Sequence, residues 1–459
     1  MRSFICKLVY WIMLKLYVFI LWALLPLLTM GKGILIQNVV IFDGKSEKTV
    51  TGNVWIEDNA IRKVSAEPIV AGAEVEVIDG RGKFLMPGLI DAHWHAYLAA
   101  NTMVDLLTAH ASYTQLRAGE EAGKTLLRGF TTIRDAGGPV FGLKRAIDEG
   151  TLPGPRIYPS GAIISETGGH ADFRMVYDIP EPFDCCGLTH TEKIGAAIIA
   201  DGVDAVIVAS LTIVRRVKTV APKLEVHLST QIKLMAGGGV SSLYDQLEDV
   251  QYFEDELHAA VMAAEDAGTY VMVHVYVPEA IRRAIRAGVK SIEHGQLIDE
   301  PTMKLIAEKG VWLSMQPFIG EGNNHYTNPV QQAKHELVVQ GTDRAYQLAK
   351  KYGVKLAWGT DLLFSPANAR NQNLNIEKMT RWFSNFEILK MITHDNAELL
   401  ALSGRRNPYP GKLGVIEEGA LADLIVVDGN ALEDIKVLTD PGKNMLLIMK
   451  DGKIYKNDL

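Results

Sequence analysis

The run Met86-Pro87-Gly88-Leu89-Ile90-Asp91-Ala92-His93-Trp94-His95 constrains this chain more than any other stretch of it. An apolar segment with the character of a buried strand ends in two histidines one residue apart. Side chains at i and i+2 of a strand leave it on the same face, so His93 and His95 present two imidazoles to one side. Paired neutral imidazoles suit a divalent transition metal, zinc foremost. Taken alone, a His-x-His pair is equally well read as two satisfied core histidines. What separates the two readings lies downstream, where further metal-binding residue types recur at the ends of further strand-like segments.

Between Pro87 and Ser403, strand-like and helix-like patterns alternate. Strands are predicted at 89–93, 131–134, 156–160, 231–235, 270–274, 291–294, 311–314 and 356–359. Strands alternating with helices argue for parallel strands joined by crossover helices. One intervening helix carries its own boundaries: Glu254-Asp255-Glu256 places acids at the positive end and Gly268 closes it. Eight strand–helix units in roughly 310 residues predict an α/β fold, a TIM-type (β/α)8 barrel with its active site at the C-terminal ends of the strands. The stretch 205–230 fits this scheme badly, being rich in β-branched residues where the fourth crossover helix belongs, and 203–208 imitates a strand. An inserted strand pair and a locally altered reading frame both account for it.

The two chain ends have a different character. Short strand-like segments at 34–36, 38–41, 54–56 and 74–78 are separated by turn signals such as Phe42-Asp43-Gly44. They are too few to close a core alone, and 422–429 and 446–453 supply matching pieces. We therefore expect a small composite β-sandwich from 31–86 and 404–459, with the barrel, 87–403, inserted between its halves.

With 459 residues the chain has room for one large domain and a smaller companion. A net charge of −7 without a basic cluster argues against nucleic acid as a partner. The three cysteines, Cys6, Cys185 and Cys186, give no disulfide framework. Residues 8–30 are almost wholly apolar and follow Arg2 and Lys7. Three readings of this leader stand: a membrane anchor long enough to span a bilayer core of ~30 Å, a secretory signal, or translation that starts at Met30. The first two make the protein membrane-anchored or exported; the third makes it cytoplasmic.

Chemistry-bearing residues gather at the predicted strand ends: His93 and His95 on the first, Lys233 on the fourth, His274 on the fifth, His294 on the sixth and Asp361 just after the eighth. Strand ends distant in sequence converge in a barrel, so four imidazoles and an aspartate would face one cavity. Metal binding follows from that convergence. The segments Pro87 to His95, Gln231-Ile232-Lys233-Leu234-Met235-Ala236-Gly237-Gly238-Gly239, Val273-His274, Ile292-Glu293-His294-Gly295 and Trp358-Gly359-Thr360-Asp361 resemble the amidohydrolase superfamily. Within it the chain is similar to the imidazolonepropionase-like, prolidase-type metal-dependent peptidases, and the resemblance runs from about Gly33 to Leu459, taking in Gly411-Lys412-Leu413-Gly414.

The resemblance implies two divalent metal ions, zinc by preference. His93, His95 and Asp361 would hold one and His274 and His294 the other, with a carbamylated Lys233 bridging them. A free lysine is a poor ligand, whereas its carbamate offers two anionic oxygens. Water activated between the metals would attack a polarised amide carbonyl, and Asp361 would take the proton and pass it to the leaving amine. Gly168-Gly169-His170-Ala171-Asp172-Phe173-Arg174 follows the third strand. His170 is expected to steady a substrate carbonyl or carboxylate as a catalytic group, and Arg174, Tyr244 and Tyr276 to contact substrate. His110, His190, His227, His258, His325, His335 and His394 lack strand-end placement and are assigned to the surface or the scaffold. The expected reaction is hydrolysis of an amide beside a free carboxylate, in an Xaa-Pro or related dipeptide or an N-acyl amino acid, by a homo-oligomer. A cyclic-amide or deaminating hydrolase is the alternative within enzymes; a catalytically silent scaffold is the alternative outside them.

Overall fold

The computed structural model describes residues 33–72, 74–174, 187–215, 229–320, 326 and 328–459. The apolar leader, Cys185, Cys186, His227, His325 and most of the awkward stretch before Ser229 lie outside the described residues. Among the described residues, no helix is long and apolar enough to cross a membrane.

In chain order the strands are β1 (Gly33–Ile41), β2 (Val50–Glu57), β3 (Ala60–Ser65), β4 (Val75–Asp79), β5 (Phe84–Pro87), β6 (Leu89–Trp94), β7 (Phe130–Asp135), β8 (Arg156–Pro159) and β9 (Ile163–Ser165). They continue with β10 (Ala197–Ile199), β11 (Ile232–Met235), β12 (Val271–Val275), β13 (Ser291–His294), β14 (Trp312–Met315), β15 (Leu356–Trp358), β16 (Leu424–Val427), β17 (Met445–Lys450) and β18 (Lys453–Asn457).

Every one of the eight strands expected in the central body is present, in two parallel sheets. One runs β6-β7-β8 and the other β10-β9-β11-β12-β13-β14-β15. Strands β6, β7, β8 and β11 through β15 are buried along their whole length. Helices cover parallel sheets on their outer faces, so these strands lack the inside–outside alternation of a half-exposed strand. The short strands β9 and β10 were not anticipated, and Ile164 of β9 pairs directly with Leu234 of β11.

The structure also corrects the reading of 203–208 as strand-like. Val203–Arg215 is an α-helix, and Val206, Ala209, Ile213 and Val214 are buried. Packing of that stripe against the sheet overrides the weak local preference of β-branched residues. The helix Glu254–Ala267 has the boundaries its sequence announced, ending at Gly268 with φ of 78°, a conformation that favours glycine.

The two parallel sheets are stitched at both flanks. On one, Thr230 donates its backbone N–H to Pro159 (2.8 Å), and the Gln231 side-chain amide donates to Asp135 and Tyr158 carbonyls (3.1 and 2.9 Å). On the other, Asp361 N–H donates to the His93 carbonyl at 2.8 Å. There the buried Asn396 also bridges the edge strands. Its amide nitrogen donates to Ile90 and Trp358 carbonyls at 2.7 and 2.8 Å, and its oxygen accepts the Trp358 N–H at 2.9 Å.

Both chain ends enter a third sheet, ordered β18-β17-β16-β5-β1-β2-β3 with β4 beside β1. This is one continuous eight-stranded hydrogen-bonded sheet, in which β16 lies antiparallel to β5 from Leu424↔Pro87 to Val427↔Phe84. Arg156 of β8 fastens it to the parallel body. Its guanidinium grips Asp423 at 2.7 and 3.1 Å and reaches Asp451 at 2.6 Å, a bidentate geometry that suits arginine.

Replacing Asn396 with Ala orphans two buried carbonyls and one N–H where β6 meets β15. At about 1–3 kcal/mol for such unsatisfied groups, we expect a loss of about 3 kcal/mol in urea unfolding. An unchanged midpoint would remove Asn396 from this role.

Candidate metal centre

Six side chains from sequence-distant segments meet at one end of the parallel sheets, lining one cavity: His93, His95, Lys233, His274, His294 and Asp361. His93 is the last residue but one of β6 and His95 follows the strand; Lys233, His274 and His294 belong to β11, β12 and β13. Two of the six sit on backbone that side-chain-bearing residues rarely adopt, His294 at φ 79° and Asp361 at φ 51°. Such conformations cluster where a site must aim a group. Gly359 clears the way: a Cβ there would stand 2.4 Å from the Cβ of His93.

The buried carboxylate of Asp91 ties the end of β6 to the turn that carries Asp361. It accepts the His93 N–H at 3.0 Å, the Thr360 hydroxyl at 2.7 Å and the Gln372 amide at 2.9 Å. Burial raises its pKa against these hydrogen bonds.

Each of the four imidazoles has one ring nitrogen engaged by a protein oxygen. His93 Nδ1 lies 2.8 Å from Glu293 Oε2, and His95 Nδ1 3.1 Å from the Gly137 carbonyl. His274 Nε2 lies 3.2 Å from the Gly238 carbonyl, and His294 Nδ1 2.7 Å from Gln316 Oε1. Carbonyl oxygens only accept, so the protons sit on these nitrogens. The opposite nitrogens, Nε2 of His93, His95 and His294 and Nδ1 of His274, are the ones a cation could take. This is how proteins orient metal-binding histidines. Burial also pushes His294 down to about 3, with His93 and Lys233 adding to it against Asp361. His274 falls well below the ordinary range through burial and then through His170 and His294.

His93 Nε2 and His95 Nε2 stand 3.3 and 3.2 Å from Asp361 Oδ1. Ligands held ~2.1 Å from a tetrahedral ion are themselves ~3.4 Å apart, so these three side chains fit a zinc-sized cation. Their ligand atoms all lie within 4.8 Å of one another. Burial would raise the Asp361 carboxyl, but His93, His95 and His294 hold it well below the usual carboxylate range. Lys233, only 1% exposed, brings Nζ to 3.5 Å from His93 Nε2. Burial drops its amine to about 8 in spite of Glu293 and Asp361.

The sequence reading missed the support beneath these ligands. Glu293, fully buried, receives Arg134 Nη2 at 2.7 Å and the Ser291 hydroxyl at 2.5 Å besides His93. Burial would raise its carboxyl, yet Arg134 and His93 lower it strongly. Arg134 donates from Nε to the Ala92 carbonyl and from Nη1 to Tyr270, and its Nη2 also reaches the Ser314 hydroxyl. A glutamate beside His294 within a predicted parallel strand, Ser291-Ile292-Glu293-His294, was the available signal.

Of the expected substrate residues, two reach the cavity. His170 is buried, its ring stacked on His274 with centroids 4.3 Å apart. Its Nδ1 pairs with Asp245 Oδ2 at 2.9 Å, and its Nε2 lies 3.3 Å from Ser241 Oγ. Tyr276, just past β12, stacks on His294 at 5.1 Å. Arg174 and Tyr244 do not line the cavity. The Arg174 guanidinium is folded back onto Asp172, and Tyr244 is 59% exposed. His335, assigned to the surface or scaffold, instead lines the cavity beside Phe318 and Tyr326. It rides on the long helix Pro329–Tyr352, where no strand-end rule could find it.

The chain belongs to the amidohydrolase family, whose profile matches residues 84–455. It is therefore a hydrolase acting on carbon–nitrogen bonds, in a family that binds divalent metals, and His93, His95 and Asp361 form a possible metal site. Ochratoxinase of Aspergillus niger is 30% identical over 444 residues, 93% of this chain and 87% of that protein. A solved prolidase complexed with N-methylphosphonate-L-proline is 34% identical, with a TM-score of 0.81 over 93% of this chain and 100% of the other. A Xaa-Pro dipeptidase with bound methionine is 30% identical, with a TM-score of 0.77 over the same shares.

Glu293→Gln should weaken divalent-metal binding by about 10–100-fold, the usual consequence of removing a carboxylate behind a ligating histidine. Competition with a chromogenic chelator measures it. Gly359→Ala should lower metal occupancy as well, by displacing His93.

Proposed function

We propose that the protein is a binuclear metal-dependent amidohydrolase that cleaves the amide of a small substrate bearing a free carboxylate, foremost an Xaa-Pro or related dipeptide. The observation that carries this reading is the set of four imidazoles, each with one nitrogen engaged by the protein and the other left for a cation. His93, His95 and Asp361 would hold one ion and His274 and His294 the second, with Lys233 as a carbamate between them. Two divalent cations held there would supply Lewis-acid polarisation of the scissile carbonyl and acidify a water.

The chain's own residues do the rest. Asp361, kept anionic by the surrounding histidines, accepts the proton of the attacking water and returns it to the departing amine. Asp245, paired to His170 Nδ1, holds the ring so that Nε2, beside Ser241 Oγ, is the nitrogen left to meet a substrate carbonyl or carboxylate. Burial raises the Tyr276 hydroxyl well above its ordinary value, so it stays a neutral donor. Leu98, Phe173, Val240, Phe318 and Phe364 give the rest of the cavity an apolar wall and exclude water. The prolidase and dipeptidase likenesses support the substrate class, and the ochratoxinase likeness supports the broader amide chemistry. We propose further that the two parallel sheets are arcs of one (β/α)8 barrel spanning 87–403, and that the third sheet folds as a β-sandwich domain of 31–86 and 404–459.

The test is metal content together with amino-acid release from Xaa-Pro dipeptides, other dipeptides and N-acyl amino acids. We expect two metals per chain and cleavage of Xaa-Pro. Two metals without cleavage of any of these would turn the reading to cyclic amides, and fewer than two would overturn the binuclear assignment. Asp361→Asn should lower kcat by about 10²–10⁴, the range for losing a general base.

A neutral amine is the form that adds CO₂. With Lys233 at about 8, bicarbonate-dependent reconstitution of metal-free protein should accelerate from about pH 6 to about pH 8 and level off above it. Reconstitution rates at constant CO₂ check this, and a flat profile would take Lys233 out of the bridge.

A further inference from the structure

A second cleft, of about 1040 Å³, opens where β8 meets the β17–β18 hairpin. It shares no lining residue with the metal cavity. Among the described residues its lining carries six Lys and Arg side chains against three carboxylates, in a chain whose formal net charge is −7.

Two of these cations are buried. Lys450, the last residue of β17, is 5% exposed, and among the described residues its Nζ has no hydrogen-bond or ion-pair partner. The Tyr455 ring lies 5.7 Å away. Arg156, also 5% exposed, gives Nε and Nη2 to Asp423 and Asp451. Its Nη1 carries no hydrogen bond among the described residues. The two cations are near enough to repel: burial first and Arg156 second among the lowering influences depress the Lys450 amine, against Asp423 and Asp451. Exposed Lys453 stands at the rim, over the Tyr455 ring at 5.4 Å. A buried ammonium without a partner is costly, and an external anion removes that cost.

We propose that this cleft binds a phosphate-type dianion, as inorganic phosphate or as the phosphoryl group of a small ester, with Lys450 Nζ and Arg156 Nη1 as buried donors and Lys453 at the rim. Donors on separate strands suit a tetrahedral anion with several oxygens, and a guanidinium nitrogen and an ammonium are both established phosphate donors.

The experiment titrates the metal-loaded full chain with inorganic phosphate and with glycerol phosphate by calorimetry, at ionic strength held constant with chloride. Lys450→Gln should weaken binding by about tenfold, the worth of one charge-assisted hydrogen bond, and Lys453→Ala by about threefold. Tighter binding of glycerol phosphate assigns an ester, and tighter binding of inorganic phosphate assigns the free ion. Phosphate that meets the metals instead shows as competitive inhibition of hydrolysis, and that inhibition should be the same in both variants. Without phosphate, Lys450→Gln should melt no lower than the parent, which a purely structural lysine would not allow. Unchanged phosphate affinity in both variants, or heat only from the metal cavity, overturns the proposal. If Lys450→Gln fails to fold, Lys453→Ala decides.

Discussion

The buried contact of Glu293 with Arg134 and His93 underlies the geometry of the site. A carboxylate at the centre of a parallel sheet is tolerable only if charge and hydrogen bonds replace the water it has lost. Arg134 from β7 supplies the charge, and Ser291 and His93 supply further donors. Through this one group, strands β6, β7 and β13 are tied together beneath the cavity. The His93 proton is fixed on Nδ1 at the same time. The fold and the geometry of the candidate site therefore depend on the same three side chains.

Around that anchor the site is aimed by backbone rather than by side-chain freedom. His294 and Asp361 both sit at positive φ, and Asp91 ties the Thr360 turn to the end of β6. Repulsion among imidazoles and a buried amine is held in place by these constraints. Cations would relieve it, so such a centre is pre-organised for them in the sense that its ordering is complete before they arrive.

Much of this was legible in the sequence because parallel strands buried on both faces announce themselves as short apolar runs. The four histidines stand at or near the ends of such segments, Lys233 within one and Asp361 just past another, and all six line one cavity. The strand-end rule failed where function lies off the strands. His335 reaches the cavity from a helix and Ser241 from the loop after β11, and Asp245 of the same loop backs His170, at places with no period to mark them. Arg174 looked like a free cation beside a glycine-rich turn, but Asp172 two residues away captured it. The helix Val203–Arg215 was obscured by its own β-branched residues, since tertiary packing, not local preference, decides such segments. The third sheet was foreseen as a union of both chain ends, and its strand order was not, because antiparallel pairing between distant segments leaves no local trace.

The pairing of β16 with β5 has a consequence for synthesis. Strand β5 emerges early, and its partner follows only after the entire parallel body has been made. Until then the edge of β5 is open, with its ladder donors and acceptors unpaired. Contacts of such long sequence separation form slowly, so the nascent chain passes through a stage in which the central body can assemble while the small sheet cannot. A truncated product ending before Leu424 would keep every residue that lines the candidate site and still expose that edge, marking it for aggregation or quality control.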